Sequence, residues 1–203
     1  MSNIIRAYFN QKAASWDETV AEKDPAKLRR MARRLNVKSG SKVLDIGTGT
    51  GVFLPFVFEE VGQNSHVVAL DVAEEMLSRA RAKGFNRDID YLQADVASIP
   101  LRDGLFDAVV CYSSFPHFQD KPRALAEISR VIKGGGKLVI CHTSSRATIN
   151  EIHRSIPAVG NDIIPDRRQM QAMLSRAGFT EIKIADESES YFCSARKSRT
   201  ALD

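Results

Sequence analysis

The chain has 203 residues, of which 43% are apolar and 27% charged. That is long for a minimal domain, short for two, and ordinary for a globular protein, so a single domain with a full core is expected. No apolar run reaches the roughly 18 residues that cross a bilayer. The opening MSNIIRAYFNQKAASWDE also lacks the basic start and apolar stretch of a secretory leader. The three cysteines (Cys111, Cys141 and Cys193) lie far apart in apolar segments, which predicts reduced thiols in the cytoplasm rather than disulfides or a zinc site. A formal net charge of +4 permits an acidic partner without demanding one.

The first 40 or so residues read as one or two helices outside the core. In KLRRMARRL the apolar positions Leu28, Met31, Ala32 and Leu35 form one stripe, with Arg29, Arg30, Arg33 and Arg34 facing away. From residue 42 short apolar runs alternate with helical patterns. KVLDI (42–46), HVVAL (66–70), IDYLQ (89–93), FDAVVC (106–111) and GKLVICH (136–142) read as strands. GVFLPFVFEEV, AEEMLSRARAK and RALAEISRVI read as the intervening helices. Such alternation predicts parallel strands with crossover helices on both faces. In TINEIHRSI the residues Ile149, Ile152, His153 and Ile156 share a helical stripe that should face inward. Asp166 and Gln169 form a capping pair for a helix that exits at Gly178. FTEIKIA and SYFCSARK then follow with no helix between them, which predicts an antiparallel hairpin across a DESE loop.

The strongest local signal is VLDIGTGTG (43–51), where a strand runs into Gly47, Gly49 and Gly51 and a helix follows. Glycines there allow a sharp turn and a close approach of ligand to backbone. The dinucleotide pattern GxGxxG is not met, because its third glycine would fall at Val52. Three carboxylates sit at C-terminal strand ends, the edge where open α/β sheets bind ligands. Asp45 would repel a pyrophosphate but suits a cationic amino-acid group. Asp71 can accept two hydrogen bonds from ribose hydroxyls. Asp95 can accept one from an adenine amino group, beside an apolar contact from Val96.

Together, VLDIGTGTG, ALDVAEEMLSRAR, QADVASIPLRDGLFDAVVC and LAEISRVIKGGGKLVI resemble the class I S-adenosylmethionine-dependent methyltransferases. Within that family they are similar to the small-molecule group of ubiquinone and menaquinone methyltransferases, over about residues 8–196. The resemblance implies a Rossmann-like, doubly wound, mostly parallel seven-stranded α/β sheet of order 3-2-1-4-5-7-6, its last hairpin antiparallel. It implies S-adenosylmethionine as methyl donor and S-adenosylhomocysteine as product. The implied cofactor contacts are Asp45, Gly47, Thr48, Gly49, Gly51, Asp71, Val72, Met76, Asp95, Val96 and Cys111, with Tyr8 or Trp16 closing over them. The chain then divides into a helical cap (1–40), a cofactor-binding core (41–142), a lid (143–165) and a C-terminal helix with its hairpin (166–203).

Methyl transfer from a sulfonium needs mainly positioning, because the leaving group is neutral. A base is useful only where the acceptor must lose a proton. Three histidines are candidates. His117 follows strand four, His142 ends strand five, and His153 lies in the lid. They read as inert structural groups, as acceptor-orienting or general-base residues, or, last, as a three-histidine metal site with Asp162. No metal is expected. Tyr112 can wall the pocket, and Ser113 and Ser114 read as turn residues. The segment YSSFPH lacks the motifs of DNA methyltransferases, and no target-recognition domain is evident. The expected acceptor is therefore a small molecule, with no nucleic-acid partner and a monomer or homodimer. The alternatives are an RNA or protein methyltransferase docking through the Arg-rich helix 27–35, and a non-catalytic cofactor sensor.

Overall fold

The computed structural model describes residues 2–19 and 24–199. Parts of two segments read from the sequence, residues 1 and 20–23 of the cap and 200–203 of the C-terminal unit, lie outside the described residues. Seven strands form one sheet: β1 (Lys42–Ile46), β2 (His66–Asp71), β3 (Ile89–Gln93), β4 (Phe106–Tyr112), β5 (Ile132–His142), β6 (Phe179–Glu187) and β7 (Ser190–Lys197). Their order is β3-β2-β1-β4-β5-β7-β6. β1 to β5 pair in parallel, and β7 runs antiparallel to both its neighbours. This is the Rossmann-like arrangement that the sequence led us to expect.

The helices are α1 (Ser2–Lys12), α2 (Trp16–Thr19), α3 (Pro25–Leu35), α4 (Leu54–Val61), α5 (Glu74–Ala82), α6 (Lys121–Val131), α7 (Arg146–Arg154) and α8 (Arg167–Arg176). The period of two along each strand sorts the core onto two faces. Leu44, Ile46, Val109 and Cys111 pack with Ile128 of α6 and Leu174 of α8. Val43, Ala108, Val110 and Tyr112 pack with Leu28 and Leu35 of α3 and Val57 of α4. The α3 stripe is buried as its spacing predicts, and each of its larger apolar side chains contributes roughly 1.5–3 kcal/mol. Asp24 caps α3 through the N–H groups of Ala26 and Lys27, and Pro25 supplies a preset φ at the first turn. Asp166 and Gln169 form a reciprocal capping box on α8.

Four local expectations change. The helix after β1 starts at Leu54 rather than in the glycine run, because Pro55 favours a first-turn position and residues 47–53 are used by the loop. β5 begins at Ile132, which pairs with Phe106 across a register shift. The terminal hairpin closes on residues 188–189 alone, because Asp186 pairs with Tyr191 and Glu187 with Ser190. Ile152 of α7 is 48% exposed, while Ile149 is buried, so the inward stripe is narrower than its spacing suggested. Among the described residues no helix is long and apolar enough to cross a membrane.

Candidate active site

A cavity of about 350 Å3 opens at the C-terminal edge of β1, β2 and β4, at the lower end of the range for small-molecule sites. Its floor is the loop after β1. Gly47, Gly49 and Gly51 all have positive φ, at 70°, 55° and 77°. They do different things. A Cβ on Gly47 would lie 2.3 Å from the Cβ of Ser114, so this glycine lets two loops touch. A Cβ on Gly51 would press on Phe85 and Leu54. Only at Gly49 is the space open, the nearest atom being Trp16 Nε1 at 4.0 Å. Gly47, Thr48, Gly49 and Thr50 line the cavity, and Gly51 does not.

Asp71, at the end of β2, lines the cavity and holds the loop in shape. Its Oδ2 accepts from the Gly49 N–H and its Oδ1 from the Ala73 N–H, both at 2.8 Å. A carboxylate offers about four lone-pair sites, so two remain for a ligand. Burial raises its pKa to about 6, against those backbone donors. Asp45, by contrast, is 2% exposed and does not line the cavity. Burial raises its pKa to about 7, and the neighbouring Asp71 charge adds to the rise. The Thr48 hydroxyl lowers it in part, without closing a hydrogen bond of standard geometry.

The sign of this shift gives a prediction. The Asp45 pKa is higher folded than unfolded, so its stabilising contribution is present below about pH 4 and is lost as pH rises through 7. Asp45→Asn should therefore be more stable than wild type at pH 8, by on the order of 4 kcal/mol at most. The gain should shrink toward pH 4. Thermal melts across this range check it; an Asn variant equally destabilised at every pH would contradict it.

The walls come from three further places. Val72 and Met76 follow β2, and Asp95, Val96 and Ala97 follow β3. Asp95 Oδ1 accepts from the Ala97 N–H at 2.9 Å, which fixes that turn. Tyr112 lies on the other side, stacked on Phe53 at 4.4 Å. The cover is the N-terminal segment. Ile5, Phe9 and Trp16 line the cavity, and Phe9 meets Trp16 edge-on at 5.5 Å. Asp17 ties this cover to the floor, accepting from Thr50 Oγ1 and pairing with Lys83 at 2.7 Å. Arg6 and Glu74 add a bidentate pair farther out. Tyr8 does not line the cavity, and Lys12 lies over its ring.

The three histidines cluster without sharing one opening. His117 lines the cavity. Its Nδ1 lies 2.9 Å from Asp162 Oδ2, and its ring is 4.8 Å from that of His153 and 4.9 Å from that of Phe9. His153 turns its Nδ1 to the Asp162 carbonyl and is half-buried, and burial lowers its pKa. His142 is 2% exposed, and burial together with the other two rings drops its pKa to about 3. Neither His142 nor His153 lines the cavity. Among the described residues no set of three His, Cys, Asp or Glu side chains is disposed to hold a metal ion. Asp162 draws two of the rings to different atoms, His117 to its carboxylate and His153 to its carbonyl.

Residues 44–140 match a family described as a methyltransferase domain. Over 174 residues the chain is 30% identical to the ubiquinone/menaquinone biosynthesis C-methyltransferase UbiE of Saccharophagus degradans, covering 72% of this chain and 70% of that one. The chain belongs to the class I S-adenosylmethionine-dependent methyltransferases. A second such relative, from Idiomarina loihiensis, is 26% identical over an alignment that covers 89% of this methyltransferase and 84% of the relative. A Haloferax volcanii methyltransferase, solved in complex with the Trm112 methyltransferase activator, shares the fold with a TM-score of 0.78. Its identity is 20%, over 94% of this chain and 98% of that one.

Of the cofactor contacts expected from the sequence, the methyltransferase brings Trp16, Gly47, Thr48, Gly49, Asp71, Val72, Met76, Asp95 and Val96 around one cavity. Tyr8, Asp45, Gly51 and Cys111 lie outside its lining. Cys111 is fully buried, and burial pushes its thiol pKa well up. The expected lid, residues 143–165, supplies no lining residue; the N-terminal helices cover the cavity instead. The lining residues that sequence reasoning missed include Ile5, Phe9, Ile46, Thr50, Gln119 and Arg123. A signal for two of them was present. Ile5, Phe9, Ala13 and Trp16 recur at helical spacing, and Tyr8 falls off that stripe.

Proposed function

We propose that this methyltransferase moves a methyl group from S-adenosylmethionine to a small-molecule acceptor held beside His117. The carrying observation is the cavity at the sheet edge, lined by Asp71, the Gly47–Thr50 turn, Asp95 and Val96, with Trp16 and Phe9 beside them. These residues fit the donor. Asp71 has lone pairs left for two ribose hydroxyls. The open side of Gly49 lets a ligand meet backbone. Val72, Met76 and Val96 supply apolar contact for a purine, with Asp95 beside them. When bound, the donor supplies a methyl group on a sulfonium whose departure leaves a neutral thioether. The protein's own work is then to hold donor and acceptor in line and to exclude water. A small acceptor fits the size of the cavity and the names of the curated relatives.

Docking of RNA through α3 is less well supported. Arg29 is paired with Glu59, and Arg34 lies over Phe192 and pairs with Glu187, so half of the basic face is engaged within the chain. Correspondingly, Arg34 is only half-exposed rather than facing away.

Trp16 is the only tryptophan in the chain and lines the cavity. Titrating S-adenosylhomocysteine should therefore change the intrinsic tryptophan fluorescence in a saturable way, with a matching heat in calorimetry. A protein that gives neither signal with donor or product does not use this cavity as proposed. Binding without methyl transfer to any acceptor offered would favour the sensor reading.

A further inference from the structure

His117 is the one histidine of the cluster that reaches the cavity, and its immediate partner is an acid 45 residues away. The Asp162 carboxyl group is largely enclosed, its side chain 10% exposed and that of His117 14%. Both of its oxygens are engaged: Oδ2 faces His117 Nδ1 at 2.9 Å, and Oδ1 accepts from Gln119 Nε2 at 3.1 Å. Gln119 also donates to the His117 carbonyl at 3.1 Å, which locks the short 115–117 helical turn to the same carboxylate. Asp162 is itself held in place. Its N–H donates to the Val159 carbonyl at 2.9 Å, and Asn150 of α7 clasps the following loop by exchanging two hydrogen bonds with Ile164. A carboxylate can only accept, so the His117 nitrogen facing it must carry the proton. In the neutral imidazole that leaves Nε2 with its lone pair, and among the described residues nothing hydrogen-bonds it.

We infer that Asp162 is a positioning residue that fixes the tautomer of His117, making Nε2 a proton acceptor for a methyl acceptor bearing an ionisable hydroxyl. The inference rests on the methyltransferase reading and names the acceptor chemistry at that site. An aromatic amine is uncharged at neutral pH and already has its lone pair, and a thiol ionises more readily than a phenol, near pH 8.5 against about 10. A phenol- or enol-type hydroxyl is the group for which a fixed base matters. In the step, the acceptor oxygen gains the methyl carbon as the carbon–sulfur bond breaks, and sulfur keeps that electron pair. The hydroxyl proton passes to Nε2. The resulting imidazolium is stabilised by the Asp162 carboxylate and then loses its proton to solvent. The charged or titratable groups facing His117 are Asp162 from the 157–166 loop, His153 from α7 and His142 from β5, while Lys121 of α6 interacts with Asp162 and donates to the carbonyls of Pro116 and Phe118.

The test is long-range 1H–15N NMR of the full chain labelled at histidine, recorded with and without S-adenosylhomocysteine, the His117 signals being assigned from H117Q. The expected result at neutral pH is a proton on Nδ1 and none on Nε2 of His117. In Asp162→Asn the amide can donate to Nδ1, so the tautomer should invert while S-adenosylhomocysteine still binds. A wild-type His117 protonated on Nε2 overturns the inference whether or not the variant folds. With phenol, thiophenol and aniline offered as acceptors, phenol should be methylated and its turnover should fall about a hundredfold or more in Asp162→Asn. Methylation of the thiol or amine alone also overturns it. Absence of S-adenosylhomocysteine binding in the wild type would instead count against the methyltransferase site, and the ligand-free tautomer would still be read independently.

Discussion

Asp71→Ala should weaken S-adenosylhomocysteine binding by about a hundredfold or more, the largest loss expected from any single side chain at the cofactor end. The carboxylate does two jobs. It accepts the Gly49 and Ala73 N–H groups at 2.8 Å, and so sets the turn that forms the cavity floor. It also lines the cavity, with lone pairs left over for ligand hydroxyls. Hydrogen bonds to a charged group are worth about 1.5–3 kcal/mol each. Losing two of them accounts for the expected change without counting the loosened loop. The folded protein should tolerate the variant better than the ligand does, because burial already raises the Asp71 pKa to about 6 and its removal relieves that cost. Asp71→Asn keeps one good acceptor and should lose roughly tenfold. Calorimetric titration of the three proteins separates these outcomes. Wild-type affinity in Asp71→Ala would mean that the ligand does not use the end of β2.

Gly47→Ala should be the most destabilising small substitution in the loop, costing about 3 kcal/mol or more. Its φ of 70° alone costs an L-residue roughly 1–2 kcal/mol. The added Cβ would also lie 2.3 Å from the Cβ of Ser114. Ser114 cannot easily retreat, because its hydroxyl donates to the Ile46 carbonyl at 2.6 Å and the residue is buried. Two other glycines make the controls. Gly84→Ala, at φ 61° with nothing within 4 Å of its Cβ, should show the backbone cost alone. Gly49→Ala should fold nearly as well as that control yet bind product poorly, since its methyl group would meet only Trp16 Nε1, at 4.0 Å, at the cavity wall. Melting temperatures and binding constants for the three variants should separate in that pattern. A Gly47→Ala protein as stable as Gly84→Ala would show that the two loops are not packed as described.

The misplaced site residues share a physical cause. Asp45 and Cys111 are each the last residue but one of a strand, and their side chains are buried between sheet and helices. Ile46 and Tyr112, one position farther on, reach the cavity. The C-terminal ends of β1 and β4 were legible to within a residue, but the period of two makes one residue the difference between rim and core. Phe9 was passed over for Tyr8 in the same way, by one position on a helix whose stripe was readable. Asp162 could be placed near the histidines but not assigned to one of them, because no local pattern links a loop residue to a ring 45 positions earlier.

By itself the sequence determined the alternation of strands and helices, the turn that only positive-φ glycines can make, and the carboxylates at strand ends. Each follows from a local period or from a backbone region that side chains exclude. Its resemblance to a family carried the strand order. Only the tertiary structure decided which aromatic rings line the cavity, that its lining takes residues from the N-terminal helices and none from 143–165, and which of three histidines reaches it. Those outcomes depend on contacts between segments far apart in the chain, whose pairing is set by packing and not by spacing.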